Sequence, residues 1–141
     1  MTDEIILNRI QCNLCGDIIT SHHRHDFVTC KCTAVSVDGG RQYLKRGYSF
    51  AGTEGSLPYT ELSVMSSASF EEVRVALLRG SRGKNGDQPL TWVPLSEISD
   101  DYLGNLIAYQ EQNMYTDTID YKCQLMERQY RTDNNITVEE K

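Results

Sequence analysis

Four of the five cysteines crowd into residues 12–32, as Cys12-x2-Cys15 and Cys30-x-Cys32 with fourteen residues between the pairs. No other feature limits the fold so tightly. A structural zinc ion takes four soft ligands in a tetrahedron, and two short-spaced pairs joined by a hairpin-length insert supply them without a large hydrophobic core. Gly16 follows Cys15, where a turn that points backbone N–H groups at thiolate sulfur benefits from a residue at ease with positive φ. The spacing therefore predicts Zn2+ in a structural role, held by Cys12, Cys15, Cys30 and Cys32. A disulfide pair and a Cys-x-x-Cys redox centre are the competing readings. The redox motif normally opens a helix beside a parallel sheet, whereas polar, His-rich sequence follows Cys15. Cys123 stands far from the others on an amphipathic stretch and reads as a buried, inert thiol.

All three histidines lie between the cysteine pairs, in Ser21-His22-His23-Arg24-His25-Asp26. His22, His23 or His25 is an alternative ligand, but four thiolates already fill a tetrahedral shell. The expected role is a loop tip, with His25 and Asp26 ordering the metal site from outside the ligand shell. A metal-dependent hydrolase is the minor enzymatic alternative. No carboxylate and amide cluster accompanies the histidines, and no nucleophile, base and stabiliser can be assembled from the sequence, so the chain reads as a non-enzyme.

A length of 141 residues suits one domain or two small pieces. The formal charge is -6, and it is unevenly placed. Residues 1–94 carry ten acidic and ten basic side chains, residues 95–141 ten and four. Bulk attraction to nucleic acid or anionic membrane is thus disfavoured. Locally basic stretches remain at Arg41 and Arg46 and at Arg79, Arg82 and Lys84. No apolar run approaches the ~20 residues of a membrane span, and the acidic start lacks a secretory signal, so a reducing cytoplasm is expected.

Along the chain, Asp17–Thr20, Phe27–Cys30, Ala34–Val37 and a basic stretch Arg41–Tyr48 read as strands of a small β meander, with the metal at one end. Gly52, Gly55, Ser56 and Pro58 mark a connecting loop. Ser69-Phe70-Glu71-Glu72 is a capping box, and the helix it opens is expected to stop at Gly80. The Gly-rich basic loop 79–87 resembles a phosphate cradle in composition but lacks the order of a phosphate-binding motif. Leu90–Leu95, with the single tryptophan Trp92, reads as an edge strand. Ser99 caps a helix with Leu103, Leu106, Ile107 and Met114 on one face. Thr116 or Thr118 opens a last helix striped by Ile119, Cys123, Met126 and Tyr130, a core face or a dimer seam.

The expected class is α+β, a small zinc-ribbon-like β module followed by a mixed part with three helices. The expected divisions are a zinc-binding module at 1–50, a connecting loop at 51–68, an α/β part at 69–131 and a polar, frayed tail at 132–141.

Two stretches resemble a known family. Cys12–Ser21, His25–Cys32 and Val37–Arg46 look like a small zinc-binding domain of unknown function frequent in bacteriophage proteins. Arg79 through Leu106, with Gly83-Lys84-Asn85-Gly86-Asp87-Gln88-Pro89-Leu90 and Trp92-Val93-Pro94-Leu95-Ser96, is similar to the companion region often fused to it. Thr33 departs from the family, which usually has glycine after the second pair. The resemblance implies a phage origin and a host-cell cytoplasm, and it names no activity.

The leading expectation is a phage accessory protein that binds and modulates a host protein, in transcription or antiviral defence. The acidic C-terminal third favours a basic partner. A first alternative is a sequestering site for a signalling nucleotide, with Arg79, Arg82 and Lys84 on phosphate and Trp92 or Tyr43 stacked on the base. A second is nucleic-acid binding through the basic strand 41–46, with Arg41, Tyr43 and Arg46 as contacts. A homo-oligomer through the C-terminal helices is a further expectation.

Overall fold

The computed structural model describes residues 3–48, 57–83 and 85–139. Lys84 lies outside the described residues. The chain divides into two compact units, Met1–Ser69 and Phe70–Lys141. The α+β class holds: several small antiparallel sheets and three helices.

In the first unit, β1 (Ile5–Cys12) turns back into β2 (Ile18–Ser21), with Gln11 opposite Ile18 and Asn8 opposite Ser21. The other edge of β1 is taken by β6 (Tyr59–Glu61) near Cys12 and by β7 (Val64–Met65) near Ile5. A second antiparallel sheet orders β3 (Val28–Thr29), β4 (Val35–Asp38) and β5 (Lys45–Tyr48). β1 and β2 both pack on β4. The core between the sheets is Ile10, Cys12, Ile19, Cys30, Ala34, Val35 and Val37, so two of the four clustered cysteines are themselves core residues. That is a small core, and below roughly 70–80 residues a unit rarely stands on apolar burial alone.

Polar pins supplement it. Asn8, fully buried, shares the two hydrogens of Nδ2 among the carbonyls of Asp38 (3.0 Å), Gly40 (2.9 Å) and Tyr43 (3.3 Å), and its Oδ1 accepts from Arg46 Nη1 at 2.7 Å. Ser21 Oγ donates to the Asp26 carbonyl at 2.7 Å and accepts the Gly40 N–H at 2.9 Å. The loop after β4 is drawn so close that a Cβ on Gly40 would stand 2.3 Å from the His23 carbonyl carbon. Only glycine fits there.

Two divisions read from the sequence change. Within the expected connecting loop 51–68, β6 and β7 are strands, because β1 would otherwise present an open edge. The first unit accordingly reaches Ser69, not residue 50.

In the second unit, α1 (Phe70–Ala76) carries Glu71 and Glu72 in its first turn and buries Val73 and Ala76. It ends before Gly80, which lies in β8 (Leu78–Ser81) opposite Trp92 of β9 (Thr91–Pro94). The sequence expectation of a helix stop at Gly80 fails because the strand pairing captures it first. A 3-10 helix, Leu95–Glu97, leads to α2 (Asp100–Gln112), where Ser99 Oγ accepts the Tyr102 N–H at 3.1 Å. Thr118 Oγ1 does the same for Tyr121 at the start of α3 (Ile119–Asp133). Among the described residues no helix is long and apolar enough to cross a membrane.

The apolar core of this unit includes Val73, Leu77, Leu95, Ile98, Leu103 and Ile107. The expected stripe on α3 does not stay together: Cys123 is buried but Met126 is exposed. The face that turns inward is instead Tyr121, Cys123, Gln124, Glu127 and Arg131. Glu127 has no exposed surface, and it accepts from Arg74 Nε (2.7 Å) and Nη2 (2.9 Å) and from Arg131 Nε (2.7 Å). Arg131 also reaches Asp100 Oδ1 at 2.8 Å and the Leu95 carbonyl at 3.0 Å. Among the described residues no buried side-chain nitrogen or oxygen lacks a partner, as burial of charge requires. The tail does not fray at residue 132. Ile136 N donates to the Arg131 carbonyl at 2.8 Å, and the Val138 carbonyl accepts the Asp100 N–H at 2.8 Å, which ties the tail to the start of α2.

Candidate metal centre

Each cysteine is placed by a turn. Cys12 ends β1, and the chain folds back through Cys15 and Gly16 (φ 77°) into β2, closed by Gly16 N to the Cys12 carbonyl and Cys12 N to the Asp17 carbonyl, both 2.9 Å. Cys30 follows β3 and Cys32 precedes β4, with Thr33 N on the Cys30 carbonyl at 3.0 Å. The two turns face each other. All four Sγ atoms lie within 4.8 Å of one another.

The sulfur geometry fits one ion. Four sulfurs at about 2.3 Å from a tetrahedral centre stand about 3.8 Å apart. Cys12 and Cys32 are 3.6 Å apart, and Cys30 and Cys32 are 3.5 Å apart. None of the cysteines is in a disulfide. Backbone N–H groups are aimed at the sulfur of Cys12, from Leu14 at 3.4 Å and Cys15 at 3.5 Å, as they are around metal-bound thiolates. Cys12 and Cys30 are buried while Cys15 and Cys32 are exposed. The arrangement can hold a metal ion.

Electrostatics point the same way. The backbone N–H groups of Asp17 and Cys32 favour the Cys15 thiolate, and its pKa falls to about 6. The Ala34 N–H also favours the Cys32 thiolate, but desolvation and the three neighbouring sulfurs overrule it and push Cys32 up to about 12. Four thiolates cannot share this volume without a cation to offset their repulsion.

Several expected neighbours do not sit where the sequence suggested. His25, expected to order the metal site, has φ 64° and its Nδ1 meets Tyr43 Oη at 3.1 Å. Asp26, expected beside it, accepts the His22 N–H at 2.8 Å. Both order the loop between the pairs. No histidine joins the sulfur cluster among the described residues. Asp17 takes the organising role instead. Its Oδ2 accepts the Lys31 N–H at 3.0 Å, so one side chain links the turn of the first pair to the turn of the second. Its position directly after Cys-Gly was the only sign of this in the sequence. Thr33, where the resembled family has glycine, adopts φ 64°, the backbone region that favours glycine.

The basic strand is spoken for. Arg46 is bidentate on Glu61, at 2.5 and 2.9 Å, and also reaches Ser63 Oγ at 3.0 Å, with its side chain nearly buried. Arg41 Nε donates to the Ile5 carbonyl at 3.0 Å. These contacts hold β5 and its preceding loop to β1 and its neighbours; they do not present a cationic face. In the second unit, Arg79 lines a cavity of about 320 Å³ with Tyr102, Glu97 and Glu139, and Arg79 Nε donates to Tyr102 Oη at 3.1 Å. Arg82 is exposed and Trp92 faces Gly80; neither lines that cavity. Two carboxylates beside one guanidinium do not suit a polyphosphate.

A model of a domain of unknown function, DUF7695, matches residues 4–48. The matched segment runs from β1 to β5 and contains all four clustered cysteines, but it stops short of the strands that complete the first sheet. No curated protein and no solved structure matches the chain.

Proposed function

We propose that the first unit is a zinc module in which the ion is structural, and that the protein works by binding a macromolecule of the host cell, without catalysis. The observation that carries the metal reading is four thiols from two facing turns within 4.8 Å of one another, enough to supply all four ligands of a tetrahedral ion. Catalytic zinc keeps one position for water or substrate, and structural zinc does not. Bound there, the ion would neutralise the thiolates and cross-link β1 to the β3–β4 turn. The phage resemblance makes a component of transcription or of antiviral defence the partner, and the acidic second unit favours one that is basic.

Metal analysis of the purified full chain is expected to give one zinc per chain, released when a mercurial titrates the thiols. A chain that is metal-free yet folded, or that carries disulfides among these cysteines, overturns the metal reading. Immobilised full chain is expected to retain a defined host protein from lysate, and retention of none overturns the binding reading. The nucleotide alternative draws no support from the cavity beside Arg79. Binding of nucleic acid through residues 41–46 is disfavoured by the contacts that engage Arg41 and Arg46.

A further inference from the structure

The turn between α2 and α3 presents large apolar side chains to solvent. Tyr109 is 59% exposed, Tyr115 54% and Met114 86%, and residues 111–118 are exposed throughout. The two tyrosine rings lie 6.4 Å apart, which groups them into one patch. Exposed apolar groups are common singly, but a cluster at a helix turn asks for a reason.

The backbone sharpens the question. α2 and α3 end in the same way. After α2, Met114 has φ 61°, and Tyr115 N donates to the Gln110 carbonyl at 2.8 Å. After α3, Asn135 has φ 54°, and Ile136 N donates to the Arg131 carbonyl at 2.8 Å. Glycine or asparagine is the usual residue in that left-handed position. α3 follows the rule, whereas α2 places an exposed methionine there, unfavourable both for its backbone and for its surface. Strain of this kind collects where a surface is used.

Charge says what the patch fits. From Asn85 to Tyr121 the sequence contains no Lys, Arg or His, and exposed Glu111 and Asp117 flank the tip. Elsewhere in the same unit, guanidinium groups lie over tyrosine rings: Arg74 stands 4.4 Å from the Tyr130 ring centre and Arg79 5.9 Å from that of Tyr102. Among the described residues, the rings of Tyr109 and Tyr115 meet each other and no cation. We infer that the α2–α3 tip is the docking surface for an arginine-rich protein segment, its guanidinium groups stacked on Tyr109 and Tyr115 beside the carboxylates and its aliphatic stems on Met114. This rests on the binding reading above and names its surface.

The test uses the full chain, a labelled oligo-arginine peptide and an oligo-lysine peptide of equal length, at two salt concentrations. Planar guanidinium stacks on tyrosine better than ammonium does, so the arginine peptide is expected to bind several-fold more tightly, with weaker binding at higher salt. Replacement of each tyrosine by alanine is expected to weaken binding about two- to five-fold. Met114→Gly is expected to weaken it also, while the thermal midpoint stays the same or rises, because glycine suits φ 61°. Equal affinity for the two peptides, or tip variants that bind as well as the native chain, overturns the inference. If native chain and tip variants retain the same lysate protein, the binding reading stands and this surface falls. If the native chain retains none while the arginine peptide binds at the tip as described, the surface stands and the wider reading falls.

Discussion

The two units answer the same shortage of apolar core in opposite ways. The first gathers four thiols at the junction of two sheets and ties its loops with Asn8, Ser21 and Arg46. The second has capped helices and a buried ionic cluster around Glu127. One brings together four cysteines that can hold a metal ion, and the other closes its buried charges on each other. Their stabilities should therefore separate under treatments that touch only metal or only charge.

Metal removal should show the largest effect. Structural zinc in small domains contributes apparent free energies of about 10–16 kcal/mol. Chelation, or Cys12→Ser, is expected to unfold β1 to β7 while resonances of α2 and α3 stay dispersed in NMR spectra. First-unit spectra unchanged after complete metal removal would show that the two units do not differ in this way.

The converse experiment is Glu127→Ala, which leaves Arg74 and Arg131 facing each other without their shared carboxylate. Loss of one member of a buried ion pair costs about 3–5 kcal/mol. Urea unfolding should show that loss in the second unit and none in the first. A shift of equal size in both would mean that the units unfold together.

Smaller effects sharpen the picture within the first unit. Thr33→Gly relieves a positive φ in the second turn and is expected to raise stability by about 1 kcal/mol or less. A drop in the midpoint of metal-loaded protein would show that the threonine side chain matters more than its backbone. Glu61 gives the least. Desolvation raises its pKa, but bonds from Arg46 and Ser63 outweigh that and hold it below the ordinary carboxylate value. A lowered pKa in the folded state stabilises above the unfolded value, and the gain fades as pH falls through the folded one. The gap between the native chain and Glu61→Gln should therefore be under about 1 kcal/mol near neutrality, since the Glu61 side chain is 45% exposed, and narrow on acidification. A gap that widens in acid would mean that folding raises the Glu61 pKa.

Much of the candidate metal site was legible because its information is local: cysteine spacing, Gly16, and short strands at 18–21, 28–29 and 35–38. The cap Ser99 was legible for the same reason, and the second cap was narrowed to Thr116 or Thr118, of which the structure takes Thr118. What escaped is non-local. β6 and β7 are too short to announce themselves and exist because β1 has an edge to fill. Arg46, Glu127 and Arg131 carry charges that a periodicity argument assigns to solvent, yet they face inward once partners arrive from distant sequence. Met114, expected on the core face of its helix, lies past the helix end.

The central place of β1 also orders events in time. Once residue 32 has left the ribosome, every clustered cysteine and the β1–β2 hairpin are free to fold, but β6 and β7 emerge only with residues 59–65. Closure of a short loop takes well under a microsecond, while synthesis proceeds at about 5–20 residues per second. The cysteine turns can therefore meet seconds before the far edge of β1 is covered, and through that interval the nascent chain holds a strand edge that β6 and β7 have yet to reach.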